Sequence, residues 1–390
     1  MSLALSALKV RLSRDELAMR GGIVVLAAVL MLIVGVPLWA LLAKGFEDRD
    51  GRFVGLANYL AYFSTPALFN SALNSFRVAV ISTVIVVPMA FLYSYALTRT
   101  QMPAKGLFQG LSLIPIFAPS LLPGLALIYL FGNQGFFKSW LLGGSIYGII
   151  GIVIAQVFYC LPHAILILMT ALRTADARLY EAADALGASK LRVFLTVTLP
   201  GAKYGLINAG LVVFTLVITD FGIAKVIGGN FNVLATDVYK QVIGQQNFSM
   251  GAVVGMVLLA PAALAFVVDR FVQRKQVALL TARAVPLIPK PKLGRDVFFT
   301  AFCTVVSFAI LGILGMAAWG SLIKYWPYNL SLTLANYQFA NFDANGWDSY
   351  FNSLRMAAGA AIFGTALMFV GAWLNEKTKG FGAVRGIVQL

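Results

Sequence analysis

The sequence predicts an all-α, polytopic membrane protein, and three observations carry that reading. The 390-residue chain is 60% hydrophobic and 12% charged, with a mean hydropathy of +0.84, which is more apolar than a water-soluble core of this size requires. Uncharged runs long enough to cross a bilayer, roughly 20 residues each, recur along its length. Basic residues gather near alternate ends of these runs, as Lys and Arg retained on the cytoplasmic side do.

Eight spans are expected: Gly21 to Ala43, Val78 to Leu97, Gly106 to Phe131, Trp140 to Leu172, Tyr204 to Ala224, Gly251 to Val268, Val297 to Ile323 and Met356 to Asn375. With the N-terminus in the cytoplasm, 21 of the 30 basic residues fall on inside segments, and so does the loop around Glu181. This bias accounts for most of the net charge of +15, so no nucleic acid partner is needed to explain it. No small-residue cleavage site follows the first run, which reads as a retained span rather than a signal peptide. Cys160 and Cys303 both fall inside spans and support neither a disulfide nor a metal site.

The chain repeats itself. Asn74, Ser75, Phe76, Arg77, Val78, Ala79 has the counterpart Asn352, Ser353, Leu354, Arg355, Met356, Ala357. Phe91 then matches Phe369, Arg99 matches Lys377, Thr100 matches Thr378, and Lys105 to Gln109 matches Arg385 to Gln389 after a two-residue shift. A match of such long period indicates two parallel copies of one membrane unit. The expected organisation is a cytoplasmic segment over 1–20, a first unit over 21–272 with six spans, a cytoplasmic linker over 273–296 and an incomplete second unit over 297–390. Pro286, Pro289 and Pro291 break any helix through the linker.

Between Thr174 and Pro200 the pattern reads as two short helices joined at Gly187. Leu179, Ala182, Ala183 and Leu186 recur at helical spacing and form one apolar face, with Thr174 as the N-cap. Gly187 supplies the positive φ that ends the first helix. Leu191, Phe194, Leu195 and Thr198 share one side of the second, which should pack back on the membrane unit.

Few residues inside the spans could do chemistry. His163 sits in mid-span, where a helix-packing hydrogen bond is favoured over proton relay. Asp220 lies at the edge of an apolar span, a costly place unless the carboxylate faces water, a partner or a pathway, so it stands as a candidate pathway or gate residue beside simple interfacial placement. Arg77 and Arg355, at matching span ends, read as snorkelling anchors. No Walker A loop is present to hold ATP phosphates, and one histidine excludes zinc-protease patterns. A membrane-embedded enzyme would need a cluster of His, Cys or carboxylates that the sequence lacks.

Glu181, Ala182, Ala183, Asp184, Ala185, Leu186 and Gly187, followed by Phe194, Val197, Leu199 and Pro200, resemble the EAA loop of ABC importer permeases. The resemblance implies the permease component of a binding-protein-dependent importer, of the type that fuses two units. Its partners would be nucleotide-binding ATPase subunits, an extracytoplasmic solute-binding protein and membrane lipid, in a bacterial inner membrane. ATP would be bound by the partner subunit, with no cofactor in this chain. Glu181, Ala182, Ala183, Asp184, Gly187, Phe194 and Pro200 would form the ATPase-coupling loop. Ala185 and Leu186 follow Asp184 where many members place an Asp directly before the Gly. Tyr325 to Leu334 and Tyr350 to Gly380 look most like permeases for 2-aminoethylphosphonate, while iron(III), thiamine and polyamine importers share the architecture. The rival class is an ion-gradient-driven transporter, in which charges and broken helices lie near mid-membrane, often in inverted repeats. Here the repeats are parallel and nearly all charges lie outside the spans.

Overall fold

The computed structural model describes residues 13–276, 285, 287–378, 384 and 388. Residues 1–12 of the expected N-terminal segment, 277–284 and Pro286 of the linker, and repeat positions Arg385, Gly386, Ile387 and Gln389 lie outside the described residues. Among the described residues six helices are long and apolar enough to cross a membrane, and two bent pairs bring the number to as many as eight. They are α1 Arg14–Gly45, α3 Pro66–Arg99, the pair α4 Lys105–Phe117 and α5 Leu121–Phe131, α6 Ile149–Arg173, the pair α8 Lys190–Gly201 and α9 Lys203–Thr219, α12 Phe248–Gln276, α13 Leu293–Leu322 and α14 Asp348–Lys377. Shorter helices are α2 Ala57–Ser64, α7 Ala177–Ala185, α10 Gly222–Ile227 and α11 Leu234–Tyr239.

Three expected spans are corrected. Gly106 to Phe131 is not one helix: α4 and α5 meet at 102°. Pro115 and Pro119 lack the N–H a helix would use, and each disfavours the helical region for its predecessor; Ala118, before Pro119, is extended. Trp140 to Leu172 starts too early. Leu142, Gly143 and Gly148 take positive φ, and the helix begins at Ile149. Tyr204 to Ala224 stops at Thr219, because Asp220 is extended and the chain restarts as α10. The linker expected over 273–296 is narrower, since α12 runs to Gln276 and α13 starts at Leu293.

Packing divides the chain into two compact units, residues 44–333 and residues 1–43 with 334–390, whereas the repeat placed the first span with residues 21–272. In the larger unit α3 lies along α6, and α9 packs on both, with α12 against α9 and α13 against α5. Their core is rich in small residues. Ala79, Ala90, Ala96, Ala155, Ala164 and Ala209 are fully buried, which allows backbones to approach where lipid gives no hydrophobic drive between helices. Gly205 marks the tightest approach, since a Cβ there would stand 2.3 Å from the Ala171 Cβ. The repeated residues Asn74–Ala79 and Asn352–Ala357 both lie in long helices that end at the matched Arg99 and Lys377.

Ile323 to Leu332 folds into an antiparallel hairpin of β1 Ile323–Tyr325 and β2 Asn329–Leu332. Trp326 fixes it, with ring centroids 4.7 Å from Phe136, 5.3 Å from Tyr129 and 5.8 Å from Trp319. In the smaller unit α1 meets α14 through Ile23, Leu26 and Leu374. Gly22 and Gly371 open this contact, as a Cβ at either would stand 3.4 Å or 3.1 Å from a leucine of the other helix.

Candidate functional site

The loop from Thr174 to Pro200 is built by caps. Asp176, not Thr174, starts α7: its carboxylate accepts the Arg178 N–H at 3.1 Å. Thr174 instead closes α6, its hydroxyl donating to the Ala171 carbonyl at 2.9 Å. Asp176 also accepts the Val285 N–H at 3.3 Å, and the Ala177 N–H donates to the Val285 carbonyl at 2.9 Å, so the linker touches the start of α7. The far end closes as a Schellman motif. Gly187 donates to the Asp184 carbonyl and Ala188 to the Ala183 carbonyl, both at 3.0 Å, with Gly187 at φ +69°. Ser189 then caps α8 through the Arg192 N–H at 3.3 Å.

The apolar face that periodicity predicts is present, and it stands free of the bundle. Leu179 is 58% and Leu186 86% exposed. Glu181, Ala182, Asp184 and Gly187 are exposed beside them, while Ala183 is half-buried. The expectation for α8 is corrected in part. Phe194 and Thr198 do pack back, but Leu191 and Leu195 are 68% and 51% exposed, and Pro200 is exposed in the last turn. One α-helical side cannot hold all four, because the turn Phe194–Thr198 is widened to a π-helix.

Support comes from below. The Phe194 ring lies 6.0 Å from Phe91 and 6.3 Å from Tyr95. Tyr180 donates its hydroxyl hydrogen to Thr198 Oγ1 at 3.1 Å. The Arg99 guanidinium sits 5.2 Å from the Tyr180 ring centroid and donates to the Leu172 carbonyl at 2.6 Å, so one buried side chain joins α3, α6 and α7. Tyr180 and Arg99 escaped the sequence reading: the signal was a Tyr beside Glu181, and nothing local marks its partner 81 residues away.

Asp220 is half-buried where two helix breaks meet. Its Oδ2 accepts the Ile223 N–H at 2.9 Å and Gln156 Nε2 at 3.2 Å, with Gly222 and Ser120 beside it. Gly222 is required here, since a Cβ would stand 2.4 Å from Ser120 Oγ. These contacts clamp the α4–α5 and α9–α10 breaks together and explain how a carboxylate is tolerated at this depth. His163 Nδ1 lies 3.3 Å from the Tyr159 carbonyl one turn earlier in α6, a bond within the helix. Arg77 and Arg355 are exposed. Among the described residues no group of three or more His, Cys, Asp or Glu could hold a metal.

Residues 87–277, which contain both the loop and Asp220, match the family profile of the binding-protein-dependent transport system inner membrane component. The chain is 27% identical over 323 residues to the ferric transport system permease protein FbpB of Actinobacillus pleuropneumoniae, covering 77% of this chain and 46% of the relative. It is 25% identical over 397 residues to the putative ferric transport system permease protein FbpB 1 of Haemophilus influenzae, covering 95% and 60%. The chain thus spans about half the length of these curated relatives. In fold it is similar to a chain of a bacterial alginate ABC transporter crystallised with its alginate-bound periplasmic protein, with a TM-score of 0.54, 15% identity, and 70% of this chain and 97% of that one covered. Residues 87–277 are thus similar to the inner membrane components of binding-protein-dependent transport systems, and the chain shares the fold of a membrane chain of an ABC transporter.

Proposed function

We propose that the chain is the permease of an ATP-driven importer of a small solute, and that α7 and the Gly187 turn dock a separate nucleotide-binding ATPase. The carrying observation is the exposed apolar face of Leu179 and Leu186 on a helix capped at both ends and held from below by Tyr180 and Phe194. Apolar side chains left exposed on a rigid, capped helix suit a protein contact. Glu181, Ala182, Ala183 and Asp184 would form that contact and Phe194 and Pro200 would position it. With the N-terminus in the cytoplasm, the loop faces the compartment that holds ATP. A solute-binding protein on the opposite side would deliver the solute, and Asp220 would hold the broken helices that line its route.

For the solute, the resemblance of Tyr325 to Leu334 favours 2-aminoethylphosphonate. The relatives named for ferric transport favour iron(III) as the second reading. The test of the permease reading is co-purification of a nucleotide-binding subunit with the chain and its loss in Leu179→Asp/Leu186→Asp; retention in that variant refutes the docking site. Competition uptake of labelled 2-aminoethylphosphonate against ferric iron, in the assembly with its binding protein, decides the solute. Uptake of iron without the phosphonate removes the first substrate reading and leaves the permease reading intact.

A further inference from the structure

A groove at the start of α13 has a lining that the coupling reading does not use. It encloses about 670 Å³ between the α3–α4 turn and the first three turns of α13, with Gln101 and Pro103 on one wall and Lys292, Leu293, Val297 and Ala301 on the other. Leu293, Val297 and Ala301 recur every fourth residue, so they form a single stripe about 12 Å long. Leu293 is 83% and Val297 58% exposed, which leaves this stripe open on the side of a membrane-spanning helix.

At the head of the stripe the charges are unbalanced. Lys292 lines the groove, the Lys190 charge on α8 acts on it, and the ion pairs among the described residues include neither lysine. Lys190 pushes the Lys292 ammonium below its ordinary pKa, which is what a neighbouring cation does when no anion separates the two. The acid in the wall cannot serve as that anion. Asp296 already accepts the Lys292 N–H at 3.0 Å, the Gln101 N–H at 3.2 Å and Arg295 Nε at 2.9 Å.

We propose that this groove binds one anionic phospholipid, its phosphate between Lys190 and Lys292 and an acyl chain along Leu293, Val297 and Ala301. A free phosphate ion fits the site less well. Enclosing it would take backbone N–H donors, and those of Gln101 and Lys292 are spent on Asp296. An apolar stripe below two cations at the end of a membrane helix matches a lipid in both charge and shape.

The test is native mass spectrometry of the full chain in detergent, titrated with phosphatidylglycerol or phosphatidylcholine of the same acyl chains. Phosphatidylglycerol is expected to bind about 25-fold more tightly, from roughly fivefold for each of the two lysines. Lys190→Gln/Lys292→Gln should erase that preference, and Lys138→Gln/Lys324→Gln should keep it. Val297→Asp should weaken both lipids, because it charges the stripe. Equal retention of the two lipids overturns the proposal, as does wild-type retention by Lys190→Gln/Lys292→Gln. Displacement of the lipid by millimolar inorganic phosphate would make this a free-anion site and also refute it. Both lysines are exposed, so circular dichroism should find the helices of the double variant unchanged, and added salt should weaken phosphatidylglycerol binding to the wild-type chain.

Discussion

Replacing Gly187 tests the proposed docking loop apart from the bundle. A Cβ added there meets nothing within 4 Å, so the cost comes from φ +69° and not from a clash. In this left-handed region Ala costs about 1–2 kcal/mol, and a β-branched residue about 3 kcal/mol. At tenfold per 1.4 kcal/mol, Gly187→Val favours opening of the Schellman cap by about two orders of magnitude and Gly187→Ala by about one. Asn tolerates positive φ, so Gly187→Asn should stay near wild type. Opening frees the Asp184 and Ala183 carbonyls and unwinds the end of α7, where Leu186 sits. The assay is binding of the nucleotide-binding subunit and solute uptake in the full assembly, beside thermal unfolding of each variant. Binding should fall in the order Asn, Ala, Val while the unfolding midpoint holds, since no buried contact is lost. Wild-type binding and uptake by Gly187→Val would refute the docking role, and a drop of the midpoint without that order would mean the loop serves the fold alone.

Asp220→Ala strands the Ile223 and Gln156 donors and should destabilise the protein by about 3 kcal/mol, against less than about 1.5 kcal/mol for Asp220→Asn, which keeps an acceptor; equal midpoints in detergent would remove the clamp role. Gly205→Ala forces α9 away from α6 because its Cβ would stand 2.3 Å from the Ala171 Cβ, at a cost of about 1–3 kcal/mol, and an unchanged midpoint would refute that close crossing. Burial raises the Asp237 carboxyl above its ordinary value, so the fold holds this proton more tightly than the unfolded chain does. Its stabilising share is therefore present at low pH and lost as pH rises from the unfolded value through the raised folded one. Asp237→Asn, which stays neutral, should gain on wild type across that window, measured as the difference in midpoints between about pH 3.5 and 8; a difference that does not change with pH would overturn the assignment.

The long helices were legible because a bilayer demands runs of apolar residues whatever their neighbours. Their breaks were less so. Pro115 and Pro119 announce the α4–α5 bend locally, but the stop at Asp220 depends on Gln156 and Ser120, which are distant in sequence. Leu141 and Leu142 made the segment before Ile149 look like membrane, although Gly143 and Gly148 turn the chain there. In the loop, spacing gave the apolar face of α7 without telling whether it faced the bundle or stood free. That depends on which side Tyr180 and Phe194 occupy, and their partners Thr198, Phe91 and Tyr95 come from other elements. Asp176 as a cap was readable by residue type, yet its second bond to Val285, across 109 residues, was not.

The attachments of α7 bear on how a push on its exposed face would travel. Nine residues make a rod about 13 Å long, tied at its start by Asp176 and Ala177 and at its middle by Tyr180, while Leu186 is free. A load on Leu179 and Leu186 therefore bears on Tyr180, whose hydroxyl meets α8 and whose ring meets Arg99. Arg99 ends α3 and grips the last turn of α6 at Leu172. The path from the surface to α3 and α6 thus crosses one aromatic ring and one guanidinium, and a flat cation is suited to both contacts at once, stacking on the ring while donating in its own plane. Lys could reach either the ring or the carbonyl, but its tetrahedral ammonium has no plane with which to do both. Stiffness in this linkage comes from those two side chains more than from the helix, whose free end can bend without moving the bundle.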